Sequence, residues 1–276
     1  MTDTSQTMSF HDGRSAPTLG LGTWQIPDDA VANVVKQALE LGYRSIDTAS
    51  IYGNETGVGQ GIRDSGIKRE ELFVATKLWN DAHEHGLSRP AFEASLERLG
   101  LDYVDLYLIH WPVPKSDAFV QAWEGLIQLR DEGLAKSIGV CNFNAAQLQE
   151  LLDQTGVLPV LNQVELHPRF QQLELRQYHA ENDIVTQAWS PLAQGTLFDD
   201  PSLIQIAERV ERSVAQVILR WHVQMGHMVI PKSTGLERLR ENSEIFDFML
   251  SDEDLAVIAQ LDSADGRVGP DPAVFG

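Results

Sequence analysis

Four side chains in the first 110 residues have the chemistry of proton transfer: Asp47, Tyr52, Lys77 and His110. A tyrosine phenol has a reference pKa of about 10 and donates poorly near neutrality unless a nearby cation stabilises the phenolate. Lys77 is the candidate cation. Asp47 is its candidate partner, because a buried lysine without one tends to lose its proton. His110, as a neutral imidazole, would donate a hydrogen bond that aims a substrate carbonyl. This set is a general acid with its supports and holds no nucleophile, metal or base strong enough for hydrolysis, so a second reactant must supply the rest of the chemistry. Hydride from a nicotinamide meets that need. Two rival readings stand beside it: a Schiff-base aldolase in which Lys77 attacks a carbonyl, and a cofactor-binding regulatory or sensor protein with little turnover.

The elements that would position these groups are legible as alternating periods. Strand-like runs occur at Leu19 to Gly22, Arg44 to Ile46, Leu72 to Ala75, Val104 to Ile109, Ser137 to Val140, Val160 to Val164, Ile184 to Ala188 and Met228 to Ile230. Helix-period stripes lie between them, such as Val31, Val34, Val35, Ala38 and Leu39, or Phe119, Ala122, Trp123, Leu126 and Ile127. Gly42 and Gly133 are placed to end helices, and Asn144-x-x-Gln147 and Ser213-x-x-Gln216 read as capping boxes that open them. Eight strand–helix repeats predict a single α/β domain over residues 1–276, a (β/α)8 TIM barrel. Gly57-Val58-Gly59-Gln60-Gly61 lacks the G-x-G-x-x-G spacing and does not directly follow a strand, so it reads as a helix packed closely on a neighbour rather than a dinucleotide loop. Ser9 to Ser15 contains an Asp-Gly turn and predicts an N-terminal β-hairpin capping the barrel bottom.

An α/β barrel builds its site from the C-terminal ends of its strands. Those ends deliver Asp47, Lys77, His110, Cys141 with Asn142, Gln163, Trp189 with Ser190, and Lys232 with Ser233 to one mouth. Any one of these is ordinary; seven consecutive strands doing so is not. The amides of Asn142 and Gln163 are placed to grip a carboxamide and Trp189 to stack on its ring.

Composition narrows the partners. With 21 Lys+Arg against 40 Asp+Glu the formal charge is −19, a field that repels nucleic acid and anionic membranes, so neither is an expected partner. An anionic cofactor then needs a local positive cluster, which Lys232, Ser233 and Arg238 supply. The chain has 276 residues, 43% of them hydrophobic, enough for one large core. No apolar run approaches the roughly 18 residues of a membrane span, and the N-terminus lacks a signal-peptide pattern, so a cytoplasmic location is expected. The lone Cys141 allows neither an intrachain disulfide nor a multi-cysteine metal cage.

Longer stretches carry a family resemblance. Gly42-Tyr43-Arg44-Ser45-Ile46-Asp47-Thr48-Ala49, Ile51-Tyr52-Gly53-Asn54-Glu55, Thr76-Lys77-Leu78-Trp79, Asp105 to Pro112, Gly139-Val140-Cys141-Asn142-Phe143, Asn162-Gln163-Val164-Glu165 and Ile230-Pro231-Lys232-Ser233 resemble the aldo-keto reductases, most closely their bacterial 2,5-diketo-D-gluconate reductase-like branch. The resemblance implies a catalytic tetrad of Asp47, Tyr52, Lys77 and His110 and reduction of small aldehydes and ketones, such as methylglyoxal, aromatic aldehydes or keto-sugar acids. It implies NADPH, favoured over NADH, held by Cys141, Asn142, Gln163, Trp189, Ser190, Leu192, Lys232, Ser233, Thr234, Arg238, Glu241 and Asn242. It also implies substrate contacts from Trp24, Trp79 and Trp111, no metal, and a monomer. Two positions depart from the family pattern. Cys141 stands where serine is usual, which suggests a looser carboxamide grip or sensitivity to oxidation, and Gly235 stands where close relatives have a basic residue. The short tail from Asp265 to Gly276 suggests an open pocket with a broad substrate range.

Other residues have plainer readings. His83 and His85 lie in a polar stretch and are not expected to bind metal, His167 reads as a turn residue, and Trp123 and Trp221 as core. Glu55 suits the first turn of a helix, where its charge meets the helix dipole.

Overall fold

The computed structural model describes residues 6–116 and 118–276. The Asp12-Gly13 turn joins β1 (Thr7–Ser9) to β2 (Ser15–Pro17) as an antiparallel hairpin, with Gly13 at φ 85°. Eight parallel strands follow: β3 (Leu21–Gly22), β4 (Ser45–Asp47), β5 (Phe73–Leu78), β6 (Val104–Ile109), β7 (Ala135–Cys141), β8 (Leu161–Glu165), β9 (Val185–Trp189) and β10 (Met228–Val229), each bonded to the next. The seam is closed by a parallel bridge of Leu19 to Val229, with Gly20 N–H donating to Val229 O and Val229 N–H to Thr18 O, both at 2.9 Å. The expected barrel and hairpin are both present.

Period-two alternation along the strands separates two environments. Phe73, Ala75, Leu106, Leu108, Cys141, Leu161 and Met228 form one buried cluster together with Phe10 and Ala16, so the barrel floor is apolar and the hairpin seals it. Ser137 Oγ donates to Asp12 Oδ2 at 2.7 Å and pins the turn there. Asp47, Lys77 and Gln163 continue the same alternation one or two steps further up, where the interior becomes polar.

Ten helices supply the outer layer: α1 (Asp28–Glu40), α2 (Glu55–Ser65), α3 (Ser88–Leu99), α4 (Phe119–Asp131), α5 (Ala145–Thr155), α6 (Leu173–Glu181), α7 (Pro201–Val210), α8 (Val214–Gln224), α9 (Leu236–Ser243) and α10 (Asp252–Ala259), counted among the described residues. The apolar stripes of α1 and α4 are buried against the strands. Both expected capping boxes form, at Asn144 and Ser213, and Ser251 makes a third with Asp254. Gly42 and Gly133 take left-handed φ of 103° and 77° just beyond α1 and α4.

The glycine row of α2 is a packing device. A Cβ at Gly57 would stand 2.3 Å from Asp28 O, at Gly59 2.0 Å from Leu99 O and at Gly61 2.5 Å from Ala32 O. Only a bare helix face lets α2 backbone lie against α1 and the end of α3.

Several histidines are buried as neutral rings. Burial pulls His83 and His179 down to about 4 and His222 to about 3, and takes His227 well below its ordinary value with help from His222, Arg176 and His179. His83 is 2% exposed, so the polar segment around it does not carry it into solvent as the sequence suggests. In the unfolded chain these rings protonate near pH 6.5, so the unfolded state binds more protons below that value. Their contribution to stability is complete above about pH 6.5 and is lost as pH falls towards 4 and below, each ring adding a slope of about 1.4 kcal/mol per pH unit. Urea unfolding between pH 7.5 and 4.5 should show this loss; a flat stability profile would show that the rings are not buried in neutral form.

Candidate active site

The functional side chains stand where strands end and the chain turns back over the mouth. Five of these turns contain a non-glycine residue with left-handed φ: Gln25 (60°) after β3, Val113 (46°) after β6, Asn142 (65°) directly after β7, Gln172 (46°) between β8 and α6, and Ser190 (47°) directly after β9. For β-branched Val113 this is costly, and such conformations collect where surrounding structure fixes a working geometry.

Lys77 lies at the centre, fully buried near the end of β5. Its ammonium donates to Asp47 Oδ1 at 2.5 Å, to Thr48 O at 2.8 Å and to Tyr52 Oη at 3.4 Å. Burial pulls this amine down, but Asp47 first, then Tyr52 and Cys141, more than restore it, leaving it above the usual lysine value. Tyr52 sits in a single 3-10 turn, Ser50–Tyr52, positioned by Ser50 Oγ donating to Lys77 O at 3.1 Å. Burial pushes its phenol up to about 12, outweighing the opposing pull of Lys77. The sequence suggested that Lys77 would dominate; instead burial does, and the hydroxyl is protonated.

His110 follows β6 and packs edge-on against Tyr52 and Trp79, with ring centroids 5.6 and 5.1 Å away. Burial, then the charges of Lys77 and His83, take it well below its ordinary value, so it is neutral near pH 7. Trp111 is buried beside it, Trp79 is half-buried, and Trp24 is 45% exposed at the rim. Ile51, 49% exposed, stands beside Tyr52 in the chain and was not singled out from sequence.

On the opposite wall, Asn142 Nδ2 donates to His110 O at 3.1 Å and Trp189 Nε1 donates to Asn142 Oδ1 at 2.8 Å. Gln163 Nε2 donates to Asp47 Oδ2 and to Gln187 Oε1, both at 2.8 Å. Cys141 is fully buried in the apolar barrel cluster, and burial drives its thiol well above its usual value. It is therefore a core thiol, which corrects the expectation of oxidation sensitivity. Beyond β9 and β10, Leu192, Ser190 and Glu241 are half-buried, Ser233 and Asn242 are buried, and Lys232, Thr234 and Arg238 are exposed around the start of α9, whose N-cap is Gly235.

The tail is anchored at the strand ends. Glu165, at the end of β8 and 1% exposed, accepts from Val268 N–H at 2.5 Å, from Gly269 N–H at 3.0 Å and from His167 Nε2 at 3.1 Å. Gly269 passes so close to Trp189 that a Cβ would lie 2.3 Å from the indole. The chain ends with Phe275 against Trp111, centroids 4.4 Å apart, and Gly276 beside Val113. Short as it is, the tail crosses the mouth and narrows it. Glu55 also exceeds its expected role: in the first turn of α2 it is buried, accepting from Thr76 Oγ1 at 2.5 Å and Arg98 Nε at 2.7 Å.

The aldo/keto reductase family model matches residues 18–263. The chain belongs to the aldo/keto reductase family. It is 49% identical over 271 residues to methylglyoxal reductase DkgA of Escherichia coli K12, covering 98% of each chain. Among solved structures, Gox0644 in its apo form matches with a TM-score of 0.94 and 47% identity, 97% of both chains being covered. The Bombyx mori aldo-keto reductase in complex with NADP matches with a TM-score of 0.88 and 39% identity over 93% of this chain and 92% of that one.

The Asp47–Lys77 pair gives a test of how this reductase holds its centre. Asp47→Ala leaves a buried ammonium without its counterion and should cost about 3–5 kcal/mol of unfolding free energy, read from urea denaturation. A loss below about 1 kcal/mol would mean the ammonium is rehydrated without consequence.

Proposed function

We propose that the protein reduces small aldehydes and ketones to alcohols with NADPH, Tyr52 giving the proton. The observation that carries this reading is the Lys77 ammonium, fixed by Asp47 and Thr48 O beneath a Tyr52 hydroxyl that is fully protonated at neutral pH.

The mouth suits a nicotinamide dinucleotide. Gln163, Asn142 and Trp189 form a wall of amide groups and one indole, and Lys232 and Arg238 stand exposed at the N-terminal end of α9, where the helix dipole favours a phosphate. When bound, the cofactor supplies hydride to the carbonyl carbon. The remaining work belongs to the chain. Tyr52 Oη passes its proton to the carbonyl oxygen, Lys77 stabilises the phenolate, Asp47 keeps Lys77 charged, and neutral His110 donates a hydrogen bond to the same oxygen. Lys232 and Arg238 would meet the adenosine 2′-phosphate, which favours NADPH over NADH despite Gly235.

The same geometry weighs against a Schiff-base aldolase. An amine whose protons face Asp47, Thr48 O and Tyr52 has no lone pair for attack. Substrates are limited by Trp24, Trp79, Trp111 and Phe275 to compact carbonyl compounds, with methylglyoxal, the substrate named for the Escherichia coli relative, first among them.

The direct experiment follows NADPH and NADH absorbance against methylglyoxal, aromatic aldehydes, keto-sugar acids and steroids. Consumption with methylglyoxal or aromatic aldehydes is expected, and none with any carbonyl would leave a cofactor-binding sensor. Tyr52→Phe should lower turnover by about 10²–10⁴-fold while NADPH still quenches tryptophan fluorescence; near-normal turnover would remove Tyr52 as proton donor. Lys232→Gly should weaken NADPH binding about tenfold and leave NADH nearly unchanged. An equal loss for both cofactors would refute the 2′-phosphate assignment.

A further inference from the structure

Gln163 reaches from β8 across the barrel interior to Asp47 on β4, and its neighbour on β9, Gln187, lies directly beside it in register. The amide orientation is fixed by chemistry. An ionised aspartate only accepts hydrogen bonds, so the Gln163 atom 2.8 Å from Asp47 Oδ2 must be nitrogen. That same nitrogen lies 2.8 Å from Gln187 Oε1. An Nε2 carries two protons, and these two acceptors use both. Gln163 then has only its Oε1 to offer, and it is a pure acceptor.

We propose that Gln187 is a positioning residue that locks Gln163 with its oxygen presented to the mouth, so that the nicotinamide carboxamide is received at Gln163 through its N–H. This rests on the NADPH reading above and extends it to the polarity of the carboxamide contact. Asn142 completes the complementarity. Its Oδ1 is taken by Trp189, whereas its Nδ2 has given one proton to His110 O and keeps a second. One wall thus offers a donor from β7 and an acceptor from β8, the pair a primary amide matches in one orientation. Since a carboxamide turned about its own bond would oppose oxygen to oxygen at Gln163, the arrangement selects one rotamer of that group. Gln187 touches no reacting atom and acts through Gln163. Without it, Gln163 Nε2 has a proton to spare, and its hold on Asp47 alone leaves the amide freer to turn.

The test compares NADP+ with 3-acetylpyridine adenine dinucleotide phosphate, in which a methyl replaces the carboxamide nitrogen while the carbonyl is kept. Binding is read by tryptophan quenching and by thermal shift, without substrate. The wild-type protein should bind NADP+ about 3–10-fold more tightly than the analogue, the worth of one neutral hydrogen bond. Gln187→Met, close in size but without an acceptor, should reduce that ratio to about twofold or less. Gln187→Glu should retain it, since a carboxyl oxygen still accepts from Gln163 in either protonation state. If Gln187→Met does not fold, Gln187→Ala gives the same readout. Equal wild-type affinity for both dinucleotides would overturn the proposal, as would full discrimination in Gln187→Met. Failure of the wild-type protein to bind either would overturn the NADPH reading and this proposal together.

Discussion

An ammonium group kept out of water inside a β-barrel persists only where its charge is balanced at contact distance and its protons are all received. Lys77 imposes that condition on its surroundings. Asp47 must sit on the neighbouring strand, Thr48 must turn its carbonyl inward, and the Tyr52 turn must end above the amine. Asp47 in turn has a second oxygen to satisfy, which draws Gln163 across from the far wall. The polar upper layer of the barrel is therefore one connected network, and the apolar floor sealed by Phe10 and Ala16 keeps water from reaching it from below.

The network also sets the charge states of its members. Burial raises the phenol of Tyr52 and lowers the imidazole of His110, so both face the mouth as neutral groups near pH 7. The Lys77 ammonium lies close to both, and its charge opposes protonation of His110 while drawing the Tyr52 phenol down.

Asp47, Tyr52, Lys77 and His110 were readable in sequence because each lies at or just past a short strand whose period is plain, and a barrel gathers strand ends without further information. The glycine row of α2 was readable because bare residues at every second position have few uses in a helix. What each polar group binds was not readable. Gln187 follows the inward alternation set by Trp189, but its bond to Gln163 depends on the register between β8 and β9. The path of the tail was not readable because length alone says nothing of it: its anchor, Glu165, is 104 residues from Gly269 in the chain. The burial of Cys141 was not readable either, since it ends β7 in register with Gln163 yet packs into the apolar cluster beneath.

The close seating of α2 has a bearing on how such a reductase diversifies. Tyr52 lies three residues before α2, and that helix meets backbone closely at Gly57, Gly59 and Gly61 while Val58 and Ile62 pack in the core. The location of Tyr52 is therefore registered to the main-chain path of the scaffold. At the rim, Phe275 rests on Trp111 and Trp24 follows β3, whereas Ile51 shares the Tyr52 turn. Changes at Trp24 or Phe275 therefore reshape the rim without altering the backbone seating of α2, whereas a change at Ile51 acts directly on the turn that carries Tyr52.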